Sequence, residues 1–233
     1  MKTGVFIFIG VLFQVLGFSQ NQAKIEAYSM GGLDVQLMVM PLGVENPIKI
    51  GRISKEGLVN FDFPKELSKV SDEVKESESS KLWYTLFSLC NNGVEMVAEA
   101  DNIFSLDTGS LSLWTTNNKY VGVIFAVSDA DLVPWLEDPA YMEPILGSYF
   151  KLVYMAKPFQ YTGTCISTLM LDEGDAEVSY TYHLNLKAGF NFIEYKIESI
   201  HESDPNVMAS FPDKVTVLSV EGIPKCKWLG KYF

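Results

Sequence analysis

The chain has 233 residues, 48% of them hydrophobic and 13% aromatic, with a formal net charge of −11. That length and apolar content support one large β domain or two small ones, each with a packed core. The acidic balance argues against nucleic acid and anionic membrane surfaces as partners, because both require basic patches.

The chain begins MKTGVFIFIGVLFQVLGFSQ, which reads as an export signal. Lys2 supplies the charged start, Val5 to Leu16 the apolar run, and Gly17 and Ser19 the small residues of a cleavage site before Gln20. Residues 1–19 are therefore expected to be removed. The run is short for a membrane span, and no later stretch is longer and apolar. The mature chain is expected to be exported to the periplasm, the cell surface or the medium, with no membrane span.

Residues 20–65 read as a β meander of four short strands: KIEAYS, DVQLMVM, PIKIGRI and LVNFDFP. Glycine-rich turns separate them. In the last, Val59, Phe61 and Phe63 share one face. Residues 66–93 change character. They begin with a charged linker and end in a predicted helix over 79–91, with Leu82, Leu86, Leu89 and Cys90 on one stripe and Gly93 as a stop. From Val94 to the end, eight strand signals follow, VEMVAE first and DKVTVLSV last. Residues 129–144 interrupt them with three prolines and a predicted short helix around Leu132 to Leu136. The expected fold class is mainly β: an antiparallel sandwich-type domain over 94–233, a helix, and the N-terminal meander as a small sandwich-like unit or added layer.

The chain has three cysteines, so at most one internal bridge forms and one thiol is left over. Cys90 with Cys165 is the preferred pair, because Cys226 sits near the C-terminus. The spacings fit no zinc pattern, and no cofactor is expected.

The run GSYFKLVYMAKPFQYTGTC, followed by YHLNLKAGFNFIEYKI, resembles part of the C-terminal half of secreted β-rich proteins of unknown function from Bacteroidota. Val153-Tyr154, the strand ending Thr162-Gly163-Thr164-Cys165, and Leu186 to Asn191 carry the resemblance, with Phe190 where those relatives commonly have Trp. The start of the chain, ending Ser19-Gln20, is similar too. The resemblance implies a surface or periplasmic protein without assigned catalysis, and it transfers no functional residue.

The most catalytic-looking string is FSLDTGSLSLW, with Asp107-Thr108-Gly109-Ser110 and Trp114. An aspartic peptidase needs two such aspartates about 3 Å apart sharing one proton. Tyr161 even mimics a flap tyrosine. No second Asp-Thr/Ser-Gly occurs, however, and the chain is too short for a bilobal enzyme and longer than a one-motif half. Asp-Thr-Gly-Ser is also what a β-turn wants, and the turn reading is preferred. Cys165 with His183 or His201 would make a nucleophile and base, but a mid-strand cysteine suits a disulfide or buried thiol better. Asp172, Glu173, Asp175 and Glu177 surround a glycine and offer calcium clustered oxygens, without the EF-hand spacing. Trp135 and Tyr141 lie in the proline-rich segment, where aromatics are more often presented to ligands. The sequence thus points to a non-catalytic binding or surface-interaction module for a protein or glycan, with an acid peptidase built on Asp107 or a calcium-binding protein as alternatives.

Overall fold

The computed structural model describes residues 22–67, 70–98, 100, 102–171 and 174–233. The expected export signal lies outside them. The chain is mainly β: of the described residues, 46% are in strands and 13% in helices.

The described residues contain thirteen strands in one sheet, and seven of them close into a barrel. Around the barrel run β1 (Gln22–Glu26), β4 (Leu58–Phe61), β3 (Ile48–Ile53), β2 (Val35–Val39), β6 (Leu111–Thr115), β7 (Tyr120–Val127) and β13 (Lys227–Tyr232). β13 returns to β1 in parallel and lies antiparallel to β7. The sheet continues past the barrel. β8 (Gly147–Met155) meets β7 at Val127↔Tyr149 and is followed by β11 (Gly189–His201), β12 (Phe211–Val220), β10 (Ala176–Leu186) and β9 (Phe159–Leu169). A three-residue strand, β5 (Ser105–Asp107), borders the far half of β8.

The expected β-rich class holds, and the strands form a barrel with added strands where a sandwich was expected. The four N-terminal strands share a sheet and a core with β6, β7 and β13. The physical reason is edge closure. A four-strand meander leaves two open edges, and the strand KWLGKY covers one of them while β6 covers the other. The strands KWLGKY and SLD carry no clear signal in the sequence, because both are short and weakly alternating.

The helical segment is also broken where one helix was expected. A short 3₁₀ turn at Glu78–Ser80 precedes α2 (Leu82–Phe87), and α1 (Asp72–Glu76) stands before both. Leu82, Leu86 and Cys90 are buried, but Leu89 is 50% exposed because the helix ends at Phe87. Gly93 opens α3 (Gly93–Met96) instead of stopping a helix, so the expected strand VEMVAE is helical at its start. A Cβ at Gly93 would collide with the Phe87 carbonyl oxygen, which is how the chain turns back so tightly. The fourth helix, α4 (Val133–Glu137), falls at the predicted short helix. No helix among the described residues is long and apolar enough to cross a membrane.

Two main cores result. The barrel core gathers Ile25, Leu37, Ile50, Val59, Leu113 and Trp228. The second core lies between α2 and the β8–β12 sheet, around Phe87, Met155, Tyr182 and Val217. Trp228 is 2% exposed and packs against Phe61 and Phe192, with ring centroids 5.8 and 6.0 Å away. Trp228→Ala should therefore cost about 3–5 kcal/mol of stability, read as a shift of the urea midpoint. Lys231→Ala removes only an exposed ion pair to Glu137 and should cost under about 1 kcal/mol. Equal small losses would show that closure by β13 does not hold the barrel.

Candidate functional site

Asp107 ends β5, and residues 108–110 carry the chain across to β6. Thr108 is fully buried, and its N–H and its hydroxyl both donate to the Leu152 carbonyl oxygen, at 3.3 and 2.8 Å. Gly109 takes φ 66°, a value that favours glycine. Its N–H donates to Asp107 Oδ1 at 2.9 Å, closing an Asx-type turn. The other oxygen, Oδ2, faces Lys151 Nζ at 3.4 Å, and that ammonium lies 5.7 Å from the centre of the Tyr195 ring. The carboxylate thus meets a backbone N–H and a cation, where the acid-peptidase chemistry requires a second carboxylate. Tyr161, the flap mimic, sits in β9 and packs edge-on against Phe87 at 5.0 Å.

Cys165 has no free thiolate, because it is joined to Cys90 in a disulfide. The Tyr182 hydroxyl lies 3.3 Å from Cys90 Sγ, inside the second core. That bond removes the Cys–His reading. His183 points to solvent from β10, and His201 stacks on Phe211 at 4.8 Å. Of the acidic hairpin, Asp172 and Glu173 lie outside the described residues, and Asp175 and Glu177 are exposed. Among the described residues, no group of three or more His, Cys, Asp or Glu side chains is placed to hold a metal ion. Trp135 corrects another expectation. It is 9% exposed, because α4 packs against β8 and β11 and seats the indole edge-on to Tyr149, 5.8 Å away. Tyr141 is 82% exposed.

A cleft of about 520 Å³ opens where the barrel meets the β10–β11–β12 sheet. Its floor is four phenylalanines. Phe61 and Phe63 come from β4 and the residues just past it, and Phe190 and Phe192 from β11. Phe63 is sandwiched: its ring stacks on Phe61 at 5.3 Å and on Phe190 at 5.0 Å. Phe61 meets Phe192 edge-on at 5.6 Å. Barrel closure creates this floor, since it brings a strand end of the meander against a hairpin more than a hundred residues away in sequence.

The rim is mostly satisfied already. Asn191 Oδ1 accepts from the Lys187 N–H at 2.9 Å, and its amide donates to the Lys187 and Gly189 carbonyls at 2.8 and 2.9 Å. Ser219 Oγ accepts from the Asn185 N–H at 2.7 Å, and Gln160 donates to Asn185 Oδ1 at 3.0 Å. The Lys187 ammonium and the Glu221 carboxylate, both exposed, have no ion-pair partner among the described residues. The alternation of Val59, Phe61 and Phe63 was visible in the sequence. Their meeting with Phe190 and Phe192 was not.

Compared with protein-family models, curated proteins and solved structures, the chain finds no match in any of the three.

Two outcomes test this chemistry. Asp107→Asn keeps an oxygen for the Gly109 N–H and loses only a partly exposed ion pair, so its stability should fall by less than about 1 kcal/mol in urea titration. Asp107→Ala also loses the turn acceptor and should cost about 1–2 kcal/mol. The second outcome concerns the free thiol, Cys226. Burial pushes it up from an ordinary 9.0 to about 12, and burial together with Tyr232 pushes the Tyr28 hydroxyl from 10.0 to about 12. As pH rises above about 9, the unfolded chain releases protons that the folded chain keeps, so stability falls with pH from there upward. Native Cys226 should accordingly alkylate slowly at pH 8 and rapidly once unfolded in urea.

Proposed function

We propose that the chain is an exported, non-catalytic binding module whose ligand is a polypeptide segment presenting an aromatic or aliphatic side chain. The observation that carries this is the four-phenylalanine cleft between the barrel and the β10–β11–β12 sheet. Apolar concave sites with few free polar groups are the usual form of ligand pockets, and barrel mouths are one of their usual places.

The satisfied rim favours a peptide over a sugar here. An oligosaccharide needs several unspent donors and acceptors, and the Asn191 amide, Asn185 Oδ1 and Ser219 Oγ are committed to holding strands and hairpins together. The stacked phenylalanines present ring edges and an apolar gap, which an inserted side chain fills. Lys187 and Glu221 stand on separate hairpins with opposite charge, suited to orienting a peptide's own charges. Export rests on the N-terminal segment 1–19 and agrees with what the resemblance to secreted Bacteroidota proteins implies.

Titration of isotope-labelled protein separates the readings. A blocked tetrapeptide containing phenylalanine, at millimolar concentration, should shift the backbone amides of 187–191 and 219–223, and Phe190→Ser should abolish those shifts. Methyl glucoside should leave them in place. Shifts with the glucoside alone, or none with the peptide, would sink the proposal.

A further inference from the structure

The outer wall of the barrel carries a second feature, on the opposite side of its strands from the core. The register sets one transverse row of outward side chains: Tyr120 of β7 opposite Trp114 of β6, Trp114 opposite Gln36 of β2, and Gln36 opposite Arg52 of β3. Phe233 extends the row, held by its N–H donating to the Val121 carbonyl at 3.0 Å. Neighbouring strands stand about 4.8 Å apart, so the row from Tyr120 to Arg52 spans roughly 14 Å, the length of a short oligosaccharide.

Its first half is an aromatic platform. The Trp114 and Tyr120 rings lie 5.6 Å apart, and Tyr120 and Phe233 lie 5.4 Å apart. Tyr120 is 47% and Phe233 68% exposed. The indole is pre-set: Trp114 Nε1 donates to Ser112 Oγ at 2.9 Å, and Ser112 in turn donates to the Met38 carbonyl at 2.9 Å. The one polar atom of the ring is thereby satisfied, and the rest of it is left as apolar surface.

The second half is planar and polar. Arg52 is the only arginine in the chain, and it is exposed. It joins none of the ion pairs among the described residues, in a chain with 29 acidic side chains. The row itself contains no carboxylate. An unpaired guanidinium fork beside an amide matches a carboxylate and its neighbouring hydroxyls, and a lysine would not offer the same two-pronged geometry.

We propose that this wall is a binding site for an acidic oligosaccharide, with pyranose rings lying on Trp114 and Tyr120 and a uronate carboxylate on the Arg52 guanidinium. The C–H faces of a pyranose carry slight positive charge and meet the negative faces of the rings. A peptide strand finds no free edge on this closed wall, and single-stranded nucleic acid requires a positively charged groove that one arginine does not make. The site is independent of the phenylalanine cleft.

Calorimetric titration with oligogalacturonate, hyaluronan and alginate oligomers tests it, with a cello-oligosaccharide as the neutral probe and polyglutamate as the non-sugar polyanion. At least one uronate oligomer should bind, and Trp114→Ala and Arg52→Gln should each weaken it by about tenfold or more. Arg52→Lys should fail to restore it, and Phe190→Ser in the cleft should leave it unchanged. Arg52 is exposed, so its variants fold whatever Trp114→Ala does. Binding of none of the three uronates overturns the proposal. So does equal binding of the neutral oligomer that survives Arg52→Gln, or equal binding of polyglutamate.

Discussion

The hydrogen bonds that β13 makes on both of its edges hold the molecule in its shape. Over Lys227–Tyr232 it runs antiparallel to β7, and at Trp228 and Leu229 it runs parallel to β1. Remove it and β1 and β7 become open edges, each with a row of unpaired backbone groups. The same strand carries Trp228 into the interior, where it touches Phe61 from the meander and Phe192 from β11. Closure and filling of the barrel are therefore one event. Both candidate binding surfaces depend on it, the cleft because Phe61 and Phe63 must meet Phe190 and Phe192, the outer row because its strands must lie in one register.

A second constraint fixes the other half. The helices α1, α2 and α3 are four to six residues long, too short to persist alone in water. They are held by what they touch. The disulfide joins Cys90, just past α2, to Cys165 of β9, 75 residues away, and closing a loop of that size restricts the unfolded chain by about 4 kcal/mol. The buried Ser105 hydroxyl donates to Thr85 Oγ1 at 2.9 Å and ties β5 to α2. In the second core, burial pushes the hydroxyls of the buried Tyr182 and Tyr195 and of the partly buried Tyr149 far above their ordinary value.

The two candidate surfaces differ in the chemistry they offer. In the cleft, polar groups are used up in holding hairpins, and what remains is apolar space flanked by one cation and one anion. On the barrel wall, the apolar rings lie open and the guanidinium is unspent. The difference follows from topology. Hairpin ends need side-chain amides such as Asn191 to satisfy their backbone, while the middle of a closed barrel wall satisfies its backbone by the ladder and leaves outward side chains free.

Strand identity along the chain was legible because alternation is local: Val59 with Phe61 and Phe63, or the run Ala176–Leu186, declares one buried face by spacing alone. The turn at Asp107 was legible for the same reason, since Asp, Thr, Gly and Ser act on backbone groups within two or three residues. What the tertiary structure alone decided is everything set by strands distant in sequence. KWLGKY alternates too weakly to announce itself and becomes a strand only between β1 and β7. Trp135 sat in a loop-like segment and is buried because α4 packs against β8 and β11. The cleft and the outer row join residues more than sixty positions apart, and only the barrel's closure and register bring them side by side, because hydrogen-bonded pairing between strands carries no mark in the residues of either strand read alone.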